Sequence, residues 1–270
     1  MLKTRIYTVL VLLPLLLAAL FYLPPVAWAL FLLPLLLVGA WEWARLAGWH
    51  VTVRLAYAGA MAAGGFLLWC FAYGAASSAA TVSLLLYASA LLFWLLIVPL
   101  WLAKAWQNRA PLLLAITGAV LLLPLWLALV QLQSQPKQLL ALMAIVWISD
   151  TAAYVCGRCW GRRKLAVTIS PGKTWEGAWG ALAGVALYYV IIGASGMMTH
   201  PVLHGLSGFA IFMVMALLGI EGDLFESWIK RVAGVKDSGA FFPGHGGVLD
   251  RIDALTASMP LAALLLGVMT

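Results

Sequence analysis

Ser227-Trp-Ile-Lys-Arg-Val-Ala-Gly-Val-Lys-Asp-Ser-Gly-Ala-Phe-Phe-Pro-Gly-His-Gly-Gly-Val-Leu-Asp-Arg-Ile-Asp253 joins two apolar runs, 206–226 and 253–269. The stretch holds four cations (Lys230, Arg231, Lys236, Arg251), three carboxylates (Asp237, Asp250, Asp253), His245 and five glycines. Only 9% of the 270 residues are charged, so a cluster this dense is not a generic solvated loop. Its residue types are those that hold a metal-bound polyphosphate. The flanking runs are long enough to cross a bilayer, because a helix needs about 20 apolar residues to span about 30 Å of hydrocarbon. Polar chemistry between two spans decides the fold class: an all-α polytopic membrane protein with a site at the membrane surface.

The rest of the chain agrees. It is 65% hydrophobic with mean hydropathy +1.03, whereas a soluble domain is closer to half apolar and a quarter charged. Nine spans are expected, at 6–23, 26–44, 55–73, 81–103, 111–130, 138–156, 177–194, 206–226 and 253–269. Their apolar residues run all round the segment, as suits helices in lipid or a bundle core. The first run follows Lys3 and Arg5 like a signal peptide, but it is long, shows no small-residue cleavage site and is followed at once by another. It reads as an uncleaved helix. With nine spans and a cytoplasmic N-terminus, 15 of the 16 Lys and Arg fall on the cytoplasmic side and only Lys137 falls outside. That one-sided distribution follows the positive-inside rule and puts the C-terminus on the opposite side. The net charge of +7 is then topology signal plus phosphate-binding groups, and no nucleic-acid partner is expected. The expected location is a bacterial inner (cytoplasmic) membrane, with the site on its cytoplasmic face.

Charge also divides the chain. Residues 1–137 hold one acid, Glu42, and read as transmembrane scaffold. Residues 138–270 hold the other eight and read as the catalytic region. Trp101, Trp106 and Trp160 near span ends are expected to be interfacial anchors. Pro14, Pro34, Pro99 and Pro124 are expected to kink spans or mark their ends. Cys156 and Cys159 form a CxxC, but no second pair or nearby His completes a zinc set, so they read as reduced small residues at a helix end.

Three polar segments share the cytoplasmic face under this topology. Asp150 lies inside the sixth span, where a carboxylate costs about 2.5–3.5 kcal/mol on insertion scales. It is either a functional group or a structural partner of Arg158 or another helix. In Ser170-Pro-Gly-Lys-Thr-Trp-Glu-Gly177, Gly172-Lys173-Thr174 is not a P-loop, since the first glycine of that motif would fall on Val167 and no strand precedes it. A helix start capped by Ser170, with Pro171 in its first turn, is the better reading. The free N–H groups there bind anions and Lys173 adds a point charge. The third segment is the quoted one with its approach, Glu221, Asp223 and Glu226. Asp223, Glu226 and Lys230 share a helix face at i, i+3 and i+7. Asp250 and Asp253 are likewise i, i+3 at the start of the last span. Carboxylates from two helices can thus meet a hard cation of the Mg²⁺ type, which shares substrate oxygens. Pro243-Gly-His-Gly-Gly247 offers backbone N–H groups as a phosphate nest. Acids at a helix N-terminus also serve simply as caps, and the glycines also serve simply as a turn.

The order of Ser227, Lys230, Arg231, Lys236, Asp237, Gly239, Phe242, Pro243, His245, Gly246, Gly247, Asp250, Arg251 and Asp253 resembles the signature of phosphatidate cytidylyltransferases, also called CDP-diacylglycerol synthases. Gly222-Asp223-Leu-x-Glu-Ser227 and Ser170-Pro-x-Lys-Thr-x-Glu-Gly177 look like further elements of that family. The likeness spans roughly 150–253. It implies a reaction of CTP with phosphatidate giving CDP-diacylglycerol and pyrophosphate, an all-helical membrane fold and a homodimer. It also implies one or two divalent metals, Mg²⁺ foremost, with a monovalent ion possible. Asp223 and Asp250 are the implied metal ligands, sitting together at the bottom of a polar, cytoplasm-facing cavity. Lys230, Lys236, Asp237 and His245 join them as expected catalytic groups. Asp150, Ser170, Lys173, Thr174, Glu176, Ser227, Arg231, Gly246, Gly247 and Arg251 are expected to bind substrate.

Rival readings make different demands. A related CTP-using enzyme acting on another lipid phosphate or lipid alcohol is disfavoured by the signature, which nonetheless does not see acyl chains. A CDP-alcohol phosphatidyltransferase requires glycine-punctuated Asp pairs that are absent from this sequence. A transporter places ionisable groups near mid-membrane on several helices, whereas here they gather at one face.

Overall fold

The computed structural model describes residues 2–73, 79–242, 244 and 246–267. Helices form over all nine apolar segments. They are α1 (Leu2–Tyr22), α2 (Pro25–Leu46), α3 (Val51–Tyr73), α4 (Ala79–Leu92) continued through a π-turn (Phe93–Ile97) into α5 (Val98–Ala103), α6 (Pro111–Leu132), α7 (Pro136–Trp160), α8 (Trp175–Gly193), α9 (Gly205–Val232) and α10 (Leu249–Gly267). Among the described residues seven helical segments are long and apolar enough to cross a membrane. The apolar part of α1 is shorter, Leu10–Tyr22, and α10 opens on Asp250, Arg251 and Asp253. The chain is an integral membrane bundle.

Prolines set several boundaries. Pro25, Pro111 and Pro136 open α2, α6 and α7, where the missing N–H is free of cost. Pro14, Pro34 and Pro124 lie inside continuous helices. Pro99 follows the π-turn. Its ring would press on the carbonyl four residues back, and a widened turn relieves that.

One small element departs from the all-helical expectation. β1 (Lys164–Ala166) pairs antiparallel with β2 (Ser170–Thr174), with an irregularity between Lys164 and Ala166. The segment expected to begin a helix at Ser170 is therefore a strand. The cap is Thr174, whose Oγ1 accepts from the Gly177 N–H at 3.1 Å. Pro171 and Gly172 disfavour helix, and Thr174 supplies the first hydroxyl directly before a run of helix-compatible residues.

Helix–helix contact depends on small residues, since lipid offers no hydrophobic drive to pack. Gly177, Gly180 and Gly184 of α8 face Ala152, Ala153, Cys156 and Gly157 of α7, and any Cβ added at these glycines would meet that helix. Cys156 thus lies in a helix contact, and all three cysteines are free thiols. α10 packs against α9, α6 and α4, and α2 packs against α3 and α6. Gly222 is the close point of the α9–α10 contact, between Asp223 and Asp253. A Cβ there would stand 2.6 Å from the Asp253 carbonyl oxygen and 3.1 Å from Ala254 Cα. Gly222→Ala is expected to lose about 1–3 kcal/mol, the usual cost of overpacking. A lowered unfolding temperature of the detergent-solubilised protein would report it.

Aromatic residues fix the other side of α9. Phe225 is met edge-on by Phe93, Trp94 and Trp101, at centroid distances of 5.8, 5.8 and 5.5 Å. Trp101 is therefore not an interfacial anchor. It is 1% exposed and its indole N–H donates to the Trp106 carbonyl. Trp106 and Trp160 are exposed, as expected of span ends.

Candidate active site

The charged residues of α9 and α10 meet where these helices touch. Lys230, on the last turns of α9, is buried between two carboxylates. Its Nζ lies 2.5 Å from Glu226 Oε2 and 2.6 Å from Asp250 Oδ1. Asp250 Oδ2 accepts from the Ser238 N–H at 2.9 Å, the Ser238 hydroxyl at 3.0 Å and the Gly247 N–H at 2.8 Å. Among the described residues, Asp250 Oδ1 accepts from Lys230 alone. Asp223, one turn before Glu226, is half-exposed. Its Oδ2 pairs with Lys173 at 2.7 Å and its Oδ1 accepts from Ser227 at 3.3 Å. Lys173 also donates to the Ile220 carbonyl. It arrives from β2, so the hairpin carries a cation to α9 at Ile220 and Asp223.

The carboxylates outnumber these lysines. Asp253 lies within electrostatic reach of Asp223, Asp150 and Lys173, and Glu226 within reach of Asp253 and Asp250. Glu226 is 6% exposed, and its Oε1 finds no donor among the described residues. A desolvated carboxylate oxygen without a donor is costly. The surplus of hard oxygen ligands fits a divalent cation. No group of three or more His, Cys, Asp or Glu residues is arranged to enclose an ion by itself among the described residues. Such a donor set suits Mg²⁺, which takes few protein ligands and completes its shell from water and substrate phosphates.

Two cavities of about 540 Å³ each open on this cluster. One is polar. Its α7 wall carries Asp150, Ala153, Tyr154, Gly157 and Arg158, a single helical stripe at i, i+3, i+4, i+7 and i+8. Ser170, Gly172, Lys173 and Asp223 complete its polar surface. The other is apolar along most of its length, floored by Trp28, Phe31, Leu32, Leu35, Met143 and Val146. It ends on Asp150, Asp250, Arg251 and Asp253. Asp150 lines both.

The structure sorts the residues singled out from the sequence. Asp150, Lys173, Asp223, Lys230, Asp250, Arg251 and Asp253 come together. Asp150 has Asp223, Lys173 and Arg251 as its charged neighbours, while Arg158 bonds Tyr154 instead. Ser227 orients Asp223. Thr174 caps α8, and Glu176 accepts from the Arg162 and Arg163 N–H groups and the Arg163 guanidinium. These two hold the hairpin in place. Gly247 turns its N–H to Asp250, and the Gly246 carbonyl accepts from Phe242. Arg231 donates to the Ile169 carbonyl, tying α9 to the hairpin. Lys236 and Asp237 are exposed on the segment after α9. His245 lies outside the described residues.

Two site residues escaped the sequence reading. Arg158 lines the polar cavity, and its signal was the eight-residue, same-face spacing from Asp150. Glu42 was assigned to the scaffold half. It is 3% exposed and accepts from the Ser238 hydroxyl at 3.0 Å and the Leu249 N–H at 2.9 Å. Glu42, from the first 137 residues, thus bonds to the segment that carries Asp250. Glu42 carries no local pattern, since its partners lie about two hundred residues away.

Comparison with known proteins matches the cytidylyltransferase family over residues 3–269. The phosphatidate cytidylyltransferase of Pseudomonas aeruginosa is 41% identical over 98% of this chain and 97% of its own. That of Haemophilus influenzae is 35% identical over 96% of both. That of Brucella suis is 46% identical over 46% of this chain and 44% of its own. A match that runs almost from end to end, with two full-length relatives above 30% identity, means that this chain belongs to the cytidylyltransferase family.

Proposed function

We propose that this protein is a phosphatidate cytidylyltransferase that makes CDP-diacylglycerol and pyrophosphate from CTP and phosphatidate. The observation that carries the reading is the pair of cavities, one more polar and one more apolar, meeting at a carboxylate-lysine cluster. A water-soluble nucleotide and a lipid need that division of surface. The acyl chains fit the apolar cavity, with the lipid phosphate near Arg251, and CTP fits the polar one.

A phosphatidate oxygen attacks the α-phosphorus of CTP. A new P–O bond forms, the bond from the α-phosphorus to the bridging oxygen breaks, and pyrophosphate leaves. The attacking oxygen is already ionised near neutral pH, so no strong general base is required. The barrier is the approach of two anions, and fixed positive groups lower it. Lys173, which lines the polar cavity, takes a nucleotide phosphate. Arg158 lies on the same wall and offers a forked donor set. Arg251 holds the lipid phosphate. Lys230 keeps Asp250 and Glu226 from repelling each other. Asp223 and Asp250 would hold Mg²⁺, which when bound would neutralise phosphate charge.

The one-sided distribution of Lys and Arg supports nine spans, a cytoplasmic N-terminus and a site facing the cytoplasm across a bacterial inner membrane. The family resemblance supports a homodimer. The test is product formation by detergent-purified protein given CTP, phosphatidate and Mg²⁺, with and without a chelator. CDP-lipid and pyrophosphate in equal amounts, lost with the chelator, are expected. Turnover of a different lipid phosphate or alcohol in place of phosphatidate would overturn the substrate.

A further inference from the structure

We infer that Glu42 positions Asp250 for the reaction by clamping the 238–249 segment to α2 through Ser238 and the Leu249 N–H. The inference rests on the cytidylyltransferase reading above.

Glu42 stands in a helix whose one other charged residue is Arg45, and it is the one acid of residues 1–137. A carboxylate there is desolvated and needs compensation. Among the described residues its donors all come from the segment that carries Asp250. Ser238 is fully buried, and its hydroxyl lies 3.0 Å from Glu42 Oε2 and 3.0 Å from Asp250 Oδ2. One hydroxyl has one proton to give, so the two carboxylates share a single bridge. Displacing Glu42 therefore loosens the residue that supplies two of the three donors to Asp250 Oδ2, the Ser238 N–H and hydroxyl. The Leu249 N–H, immediately before Asp250, is the second hold. It is one of the free donors of the first turn of α10, and among the described residues Glu42 is its acceptor.

The fit is steric as well as polar. A Cβ at Gly239 or at Gly247 would collide with the Glu42 carboxylate. Two glycines of the signature are thus explained by the passage of a side chain from α2. Arg45, one turn further along α2, adds a tether by donating to the Asp237 carbonyl at 3.0 Å. The segment is bound to α2 at 237, 238 and 249, and Asp250 follows directly.

The test compares kcat, KM for CTP and unfolding temperature in detergent for the unmodified protein, Glu42→Ala, Glu42→Gln, Ser238→Ala and the Glu42→Ala/Ser238→Ala double variant. Glu42→Ala is expected to lower kcat by about 10–100-fold, as loss of a group supporting a site ligand does. KM for CTP should move by less than about threefold, because Glu42 touches neither cavity's nucleotide wall. Glu42→Gln should restore most of the activity, since its amide oxygen still accepts from Leu249 and its NH₂ can donate to Ser238. The double variant should be no slower than about the slower single variant, because the two residues act in series. A kcat for Glu42→Ala within about twofold of the unmodified protein, or losses that multiply in the double variant, would overturn the inference. If Glu42→Ala does not fold, Ser238→Ala decides: a large loss of kcat supports the clamp, and none removes it. An unmodified protein that makes no CDP-lipid is a failure of the functional reading instead, visible before any variant is made.

Discussion

Asp223→Asn is expected to reduce the rate of CDP-lipid formation by about 10²–10³-fold, the usual loss when one preorganised electrostatic group is removed from a reaction centre. Asp223 lines the polar cavity together with Asp150. It is half-exposed, and it holds Lys173 at 2.7 Å. Asparagine keeps its shape and can still accept from Ser227, so folding should survive. What goes is the negative charge that draws a divalent ion and aligns Lys173. The measurement is kcat under saturating CTP, phosphatidate and Mg²⁺, with an unfolding temperature to show that the variant is intact. Retention of a third or more of the rate, as an order-of-magnitude threshold, would remove Asp223 from the reaction centre.

Lys230→Met is expected to cost about 3–5 kcal/mol of stability, because it breaks a buried ion pair by removing one side. Here one lysine serves two carboxylates, Glu226 and Asp250. Without it they face each other in a place with little water. The comparison that isolates this term is the double variant Lys230→Met/Glu226→Leu. It trades the ion pair for apolar surface and should recover much of the lost unfolding temperature. Activity should not return with it, since Asp250 would still lack its cation. Equal unfolding temperatures for Lys230→Met and the unmodified protein would show that the lysine does not stabilise the fold. Both expectations follow from the same feature: a half-buried cluster with more carboxylates than cations.

Much of this was legible along the chain. Asp150, Lys173, Asp223, Lys230, Asp250 and Arg251 were all candidates from spacing and motif, and the structure places them together. They were readable because charge in a chain that is 9% charged is conspicuous. Thr174 and Glu176 were also conspicuous, but they hold the hairpin and the start of α8. A motif marks residues without showing which hydrogen bonds each of them makes. Trp101 misled for a different reason. Its position near a span end is sequence-visible, but Phe225, which buries it, comes from another helix.

The sequence by itself determined that the chain is a bundle of apolar helices in a membrane, and where its polar chemistry lies. Those properties are local, since the length and polarity of a segment decide whether it enters lipid. It also determined the family resemblance, because a signature is an order of residues. Only the tertiary structure decided which carboxylate meets which lysine, that Asp150 joins a polar and an apolar cavity, and that Glu42 belongs to the site. These depend on how closely helices approach. That closeness is set by glycines and alanines at contact points such as Gly222 against Ala254. No period or spacing along the chain reveals which distant helix a small residue will meet.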